Sequence, residues 1–435
     1  MSTLESLNAS TTTVESTSRS RFNLLNSRLY PWVIIALASL FLFYKYVLQI
    51  GPSVMTNQLM QQFQLTGAGL GNLAATFFYS YLIAQLFAGP LLDRFSPRLL
   101  TALAIGLCAL GALTFPGAPS LFDACISRMM IGVGAAFATI SYIKFTAMWF
   151  KPSQFAFVTG LIATAAMAGS MAGQVPMAYL VETVGWQNAL YASGIFGVVL
   201  AALFFLVARN KAEPVAAQVV TSSTIRLADF TEVLKQKRNW YLMFYSGLAF
   251  TPLAVFGGLW GDPFLQKAYH VSNTEAASLV SLMFLGLAVG GPLLGVISDK
   301  IGKRYSIMLL GSMMAFISLT MVIYVNALPI SMVGTLLFLF GLGSAGFMLS
   351  FAVGKEINRA AVAGTVVALI NTGDAVFGAV TEPLLGKFLD VFWQGKTANS
   401  VHIFSLHNYH IAMSLLPVYL LFAVGFVLLV KRGQN

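Results

Sequence analysis

Gly89-Pro-Leu-Leu-Asp93-Arg94-Phe-Ser96-Pro-Arg98 and Gly295-Val-Ile-Ser-Asp299-Lys300-Ile-Gly302-Lys303-Arg304 are two versions of one short polar loop, set 206 residues apart. Each has a glycine, an acid four residues on, a base directly after it and further bases close behind. Each also ends a long apolar run. A second echo keeps nearly the same register: Gly132-Val-Gly134-Ala and Gly341-Leu-Gly343-Ser, 209 residues apart. Repeated signals at so steady an offset imply two similar halves in one chain.

Composition says what surrounds those halves. The 435 residues are 57% hydrophobic and only 9% charged, with a mean hydropathy of +0.79. A soluble domain carries about 25% charged residues, so most of this surface faces lipid. Apolar runs of roughly 20 residues, enough to cross a bilayer, fall near 32–55, 70–92, 98–116, 121–144, 155–180, 186–208, 240–262, 273–297, 304–326, 328–352, 361–386 and 408–430. The expected fold is an all-α membrane protein of twelve transmembrane helices in two pseudo-symmetric six-helix bundles. The expected divisions are a disordered tail at 1–30, bundles at 31–208 and 240–430, a linker at 209–239 and a short tail at 431–435. In the linker, Ile225 to Arg238 has apolar residues at helical spacing beside Lys235, Lys237 and Arg238, the pattern of an interfacial amphipathic helix.

The net charge of +10 is distributed among the loops, not gathered in one patch, which argues against nucleic acid and for topology signals. With both termini cytoplasmic, nineteen of the 25 Lys and Arg lie in cytoplasmic segments and three, Lys267, Lys387 and Lys396, in outer loops. Lys45, Arg128 and Lys144 fall inside spans or at their edges. Cys108 and Cys125 both lie in spans, so neither a disulfide nor a Cys-based metal site is expected. No metal or cofactor is expected, and the four histidines (His270, His402, His407 and His410) read as solvated loop residues on the outer side. A Gly-Lys-Ser/Thr phosphate loop, GxSxG and HExxH are all missing, so neither an ATP-driven pump nor an enzyme of those kinds is indicated.

The two loops resemble the signature of the major facilitator superfamily, which places such an acidic-basic loop after helices two and eight. Arg128-Met-Met-Ile-Gly132-Val-Gly134 is similar to its second motif. The second loop fits throughout; the first departs at Ser96, where glycine is usual. The resemblance covers about 30–430 and implies that Asp93, Arg94, Arg98, Asp299, Lys300 and Arg304 latch the cytoplasmic side as gating residues. Tyr44-Lys-Tyr-Val-Leu-Gln49-Ile-Gly-Pro52-Ser53, Leu259-Trp260-Gly261 and Gly291-Pro292-Leu-Leu-Gly295 further resemble the bacterial phagosomal branch, whose members carry amino acids or nucleosides. Asp262 departs from that branch, which is apolar there. This resemblance implies a cell inner membrane location and transport by alternating access.

Ionisable groups within spans are costly, about 2.5–3.5 kcal/mol at the centre of a helix, and persist where they face protein or a water-filled cavity. Lys45 sits mid-span with Gln49 one turn further on the same face. Its ammonium could hold a substrate carboxylate or phosphate, or it could pair with an acid such as Asp374. Asp374, with Asn371 three residues earlier, is the expected proton carrier, an alternative being a static counter-ion. Arg128 is a candidate for proton or substrate handling, and Tyr79 and Gln174 could complete a pocket. Glu382 lies near the outer end of its span. The helix-five motif of drug antiporters is absent, which favours uptake. The expected function is proton-coupled symport of a small polar nutrient, an amino acid or related zwitterion or anion, by a monomer in the bilayer. Import of a siderophore, peptide or nucleoside, efflux, or a non-transporting receptor with this fold are the alternatives.

Overall fold

The computed structural model of the protein describes residues 29–210, 227–325, 327–359, 362–398 and 401–432. The expected tails, apart from Leu29, Tyr30, Lys431 and Arg432, lie outside those residues, as does 211–226 of the linker. Twelve helices long and apolar enough to cross a membrane are present: α1 (Tyr30–Phe63), α2 (Gly67–Arg94), α3 (Pro97–Gly117), α4 (Leu121–Trp149), α5 (Pro152–Val184), α6 (Trp186–Val207), α7 (Lys237–Tyr269), α8 (Asn273–Ile301), α9 (Arg304–Tyr324), α10 (Ile330–Glu356), α11 (Ala363–Val391) and α12 (Leu406–Arg432). All twelve expected spans are there. Most run past their apolar windows because polar residues at the ends keep the helical hydrogen bonds going. The end that carries the loops α2–α3 and α8–α9 is called the basic end below, the opposite one the far end.

Side chains in the turns start the helices. Thr66 accepts from the Gly69 amide, Ser96 from Leu99 and Ser120 from Asp123, satisfying donors that the first helical turn leaves free. Ser272 with Glu275 and Ser405 with Asn408 form full capping boxes at α8 and α12. The departure at Ser96 has a local cause. In the second loop α8 ends on Gly302 at φ +69°, a left-handed cap that suits glycine. In the first, α2 ends extended at Phe95, and Ser96 caps α3 instead.

Within α1–α6 the main contacts pair α1 with α5, α2 with α4 and α3 with α4 and α6; within α7–α12 they pair α7 with α11 and α12, α8 with α10 and α9 with α10 and α12. The repeated glycines do the same task in each half. Gly132 of α4 lies against the Phe77 carbonyl of α2, and Gly341 of α10 against the Met283 carbonyl of α8. Two residues on, Gly134 meets the Ala104 carbonyl of α3 and Gly343 the Gly311 carbonyl of α9. A Cβ at any of these would collide with backbone, so close helix approach requires glycine. Within the 225–238 stretch a helix covers Leu227–Lys235, while Lys237 and Arg238 begin α7; the linker helix docks on α7 and α11 with Val233 fully buried.

Several spans are broken near their middles: α1 at a tight turn Gly51–Met55, α7 at a π turn Phe256–Trp260 and α10 at Ala345–Met348. Irregular backbone at membrane depth is tolerated where protein covers it or it lines a cavity. The two halves meet mainly through α2 with α11 and α5 with α8.

Candidate functional site

Between the halves lies a cavity of about 490 Å³, a size suited to a small ligand. Lys45, Tyr46 and Gln49 reach it from α1, Tyr81 from α2, Phe250 from α7, and Asn371 and Asp374 from α11. Four of the residues singled out in the sequence thus share one chamber: Lys45, Gln49, Asn371 and Asp374. The rest of the wall is largely aromatic and apolar, including Phe77, Phe78, Phe284, Phe347 and Phe351.

Lys45 is 5% exposed. Its Nζ lies 4.0 Å from the ring centroid of Tyr46 and 5.0 Å from that of Tyr81, contacts that partly replace lost hydration. Among the described residues it forms no ion pair. Asp374 does not supply one: its Oδ1 accepts from Oγ of Ser246 at 2.6 Å. The static Lys45–Asp374 pair considered from sequence is therefore not made. The two charges stand on walls from opposite halves. Gln49 leaves its Oε1 without a partner.

Three expected site residues lie elsewhere. Tyr79 points out of the cavity, 40% exposed, with its hydroxyl donating to the Ala379 carbonyl at 3.3 Å across the α2–α11 seam. Two residues on, Tyr81 takes the place expected of it. Arg128 is buried behind α1, where Nη1 donates to the Leu48 carbonyl at 2.9 Å and the guanidinium lies 5.5 Å from the Phe77 ring. It braces the wall of the chamber and does not line it. Gln174 is wholly buried at the far side of the chamber, donating to Ser53 at 3.0 Å and to the Gly257 carbonyl at 2.8 Å. The Tyr46–Lys45–Tyr81 cluster escaped sequence reasoning, although Phe77 and Tyr81, one turn apart and stacked at 5.9 Å, share the face that carries it.

The described hydrogen bonds between the halves cluster toward the far end, apart from that of Tyr79 at the depth of the chamber. Besides those of Gln174 and Tyr79, Asn273 donates to the Val54 carbonyl at 2.9 Å, and Thr274 donates to Glu182 at 3.1 and 2.8 Å. Asp390 of α11 accepts from the Gly67 and Ala68 amides at the start of α2, at 2.8 and 2.7 Å. His402 is also a correction to the solvated reading. In the small hairpin β1 (Thr397–Ala398) and β2 (Val401–His402), its ring stacks 3.7 Å from Trp393 and its Nδ1 lies 3.2 Å from Asp390.

At the basic end the signature residues pair within their own half. Asp93 bonds Lys144 at 3.0 Å; Arg304 bonds Asp299 at 2.9 Å and Glu356 at 2.6 Å. Arg98 donates to the Phe205 carbonyl at 2.6 Å, and the Arg94 guanidinium lies 6.0 Å from the Phe95 ring. Lys300 is exposed. Among the described residues none of these bridges the halves, in contrast to the hydrogen bonds that join them at the far end.

That arrangement makes Asp390 testable. Asp390→Ala removes two charge-assisted caps that join the halves, each cap contributing about 0.5–2 kcal/mol. The expected result is a shift of roughly tenfold per 1.4 kcal/mol lost toward opening at the far end. Labelling rates of a cysteine placed at Val54, buried in the seam at 2% exposure, would show it; unchanged rates would remove Asp390 from the seal.

The sequence profile of the Major Facilitator Superfamily matches residues 29–382. The chain is 24% identical, over 58% of both chains, to the Escherichia coli K12 protein named "Probable L-galactonate transporter". It is 22% identical to the Bacillus subtilis "Probable galactarate/D-glucarate transporter", over 82% of this chain and 86% of that one. It spans 40% to 66% of the length of three of the curated relatives it matches. Among solved structures, a bacterial homolog of the human lysosomal transporter Spinster, inward-facing and unoccupied, superposes with a TM-score of 0.78 over 94% of this chain and 98% of that one, at 16% identity.

Proposed function

The chain belongs to the major facilitator superfamily, and from that premise we propose that it is a secondary transporter importing a small organic monoanion, held by Lys45 and carried with a proton. The observation that carries this reading is the buried ammonium of Lys45 on the cavity wall, with aromatic rings around it and no acid among the described residues paired to it. A substrate carboxylate supplies the missing counter-charge, and Gln49 offers a second hydrogen-bonding group. The relatives reported above are named for galactonate, galactarate and glucarate, all carboxylates. One cation facing one acid, Asp374, suits a single negative charge better than two. The phenylalanine-rich wall favours a body with substantial apolar surface over a fully hydroxylated one.

The bundles, placed at 31–208 and 240–430, rock about this chamber, which opens to the basic end in the present state. The excess of Lys and Arg there supports a cytoplasmic placing of that end in an inner membrane. Pairs such as Asp93–Lys144 and Asp299–Arg304 hold the gating loops within their own bundles in this state, ready to exchange partners when that end closes. The protein acts as a monomer, since each chain encloses its own chamber.

A second reading rests on Lys45 and Asp374 facing one chamber from opposite halves: they also match the carboxylate and amine of an amino acid. Counterflow in proteoliposomes separates the two. Aromatic and aliphatic monocarboxylates are expected to drive exchange, with sugar acids weaker and uncharged analogues inactive. Exchange by amino acids alone would favour the second reading, and exchange indifferent to the carboxylate would sink both.

A further inference from the structure

Asp262 begins the last segment of α7, directly after the π turn Phe256–Trp260. It is wholly buried. The polar side chains that face it, Ser53 of α1 and Gln174 of α5, come from the other half of the molecule. Gln174 directs its Nε2 to Ser53 and to the Gly257 carbonyl. Among the described residues neither carboxyl oxygen of Asp262 nor Oε1 of Gln174 has a donor at full hydrogen-bond distance, the Ser53 hydroxyl and the Gln174 amide standing close to the carboxyl without closing on it.

The neighbouring elements bring no charge to relieve this. Glu382 of α11 approaches Gly258, and Arg128 of α4 is the cation in electrostatic reach of Glu382. Lys267 lies further along the same segment, where it borders the far surface. Glu275 of α8 caps its own helix. On α12, Tyr409 and His410 stand against Phe264, and His407 is on the same turn of that helix. None of these forms an ion pair or hydrogen bond with Asp262 among the described residues.

Three converging acceptors faced by a single uncommitted donor, the Ser53 hydroxyl, are costly in a dry interior, the more so if one group is ionised. A single proton resolves the conflict, because a neutral carboxyl is donor and acceptor at once. We propose that Asp262 is a proton-binding site built into the seam between the halves, occupied while the far end is sealed, with Oε1 of Gln174 accepting its hydrogen bond. When the halves part at the far end, Ser53 and Gln174 leave with the other bundle. Water then reaches the carboxyl and can take up or return that one proton, leaving a carboxylate or re-forming the acid. The inference rests on the alternating-access reading and adds to it a proton site distinct from Asp374.

The test is infrared spectroscopy of the purified full chain without substrate. Difference spectra between about pH 5 and about pH 8 are compared for the wild type, Asp262→Asn and Gln174→Leu. The wild type should show a protonated-carboxyl stretch that Asp262→Asn lacks. In Gln174→Leu, which keeps the carboxyl, the same band should move to higher frequency as its O–H loses an acceptor. The second variant keeps the test decisive if the first does not fold. Spectra of all three that coincide would overturn the proposal. So would a carboxylate at Asp262 throughout the range together with stabilisation by sodium chloride, which would make the site one for sodium. Because no substrate is present, failure here leaves the organic-anion reading standing, and failure of the counterflow panel leaves this one.

Discussion

Replacing Lys45 by Met will weaken binding of the transported anion by roughly 30-fold or more, the equivalent of the 2–5 kcal/mol lost when one partner of a buried charge pair is truncated. The ligand-free protein will not suffer in step. No acid is orphaned by the change, since Lys45 has aromatic and not acidic neighbours. Two cation–π contacts are lost, each about 0.5–2 kcal/mol, and against that loss stands the removal of a buried charge from a low-dielectric wall. Met fills most of the same space. Thermal shift separates the two effects. At 100 times the dissociation constant the wild type gains about 2.7 kcal/mol, whereas a variant binding 100-fold more weakly gains about 0.4 kcal/mol at the same concentration. An unchanged melting point without ligand and a collapsed ligand shift is the expected pair of results. A full-sized ligand shift in Lys45→Met would take the ammonium out of the site, and with it the reason for an anion.

Much of this was legible in the sequence because the bilayer makes hydropathy a strong signal. A span must satisfy its own backbone, so twelve apolar windows became twelve helices, and the resemblance of the two loops to the superfamily signature held. The repeat of Gly132 and Gly134 in Gly341 and Gly343 carried structural meaning, the same two helix approaches in each half. Chamber residues were legible in part. Lys45 and Asp374 stand out because buried charge is rare in a span and marks a cavity, and Gln49 and Asn371 because they share their helix faces.

The errors came from the rotation of a side chain about its helix, which composition does not reveal. Tyr79 and Tyr81 are two residues apart, so they point to nearly opposite faces, and only one enters the chamber. Arg128 and Gln174 have the buried polarity of site residues, yet neither lines the chamber, and each donates to a carbonyl on a neighbouring helix. His402 was read as solvated because a loop position says nothing about Asp390, twelve residues earlier in sequence and brought to 3.2 Å by the hairpin.

Asp374→Asn will abolish accumulation driven by a pH gradient while leaving exchange of labelled for unlabelled substrate. The carboxyl faces the chamber, is 7% exposed and is fixed by Ser246. An amide oxygen can still accept from that hydroxyl, so the local fold survives, but an amide cannot carry a proton in this range. A gradient of one pH unit offers about 1.36 kcal/mol per proton, which is about tenfold accumulation for one proton per substrate. The wild type should approach that ratio in proteoliposomes and the variant should stay near equality. Gradient-driven accumulation equal to the wild type's would clear Asp374 of the role. The effect of membrane potential then counts the protons. One proton with a monoanion moves no net charge, so a potential alone should drive nothing. A second proton, such as one released at Asp262 in each cycle, would make the step electrogenic, each 100 mV then contributing about 2.3 kcal/mol. A wild type indifferent to potential would confine Asp262 to the seal, its proton never crossing; one that responds would make both carboxyls carriers, and Asp374→Asn, left with one proton per monoanion, should then lose its response to potential.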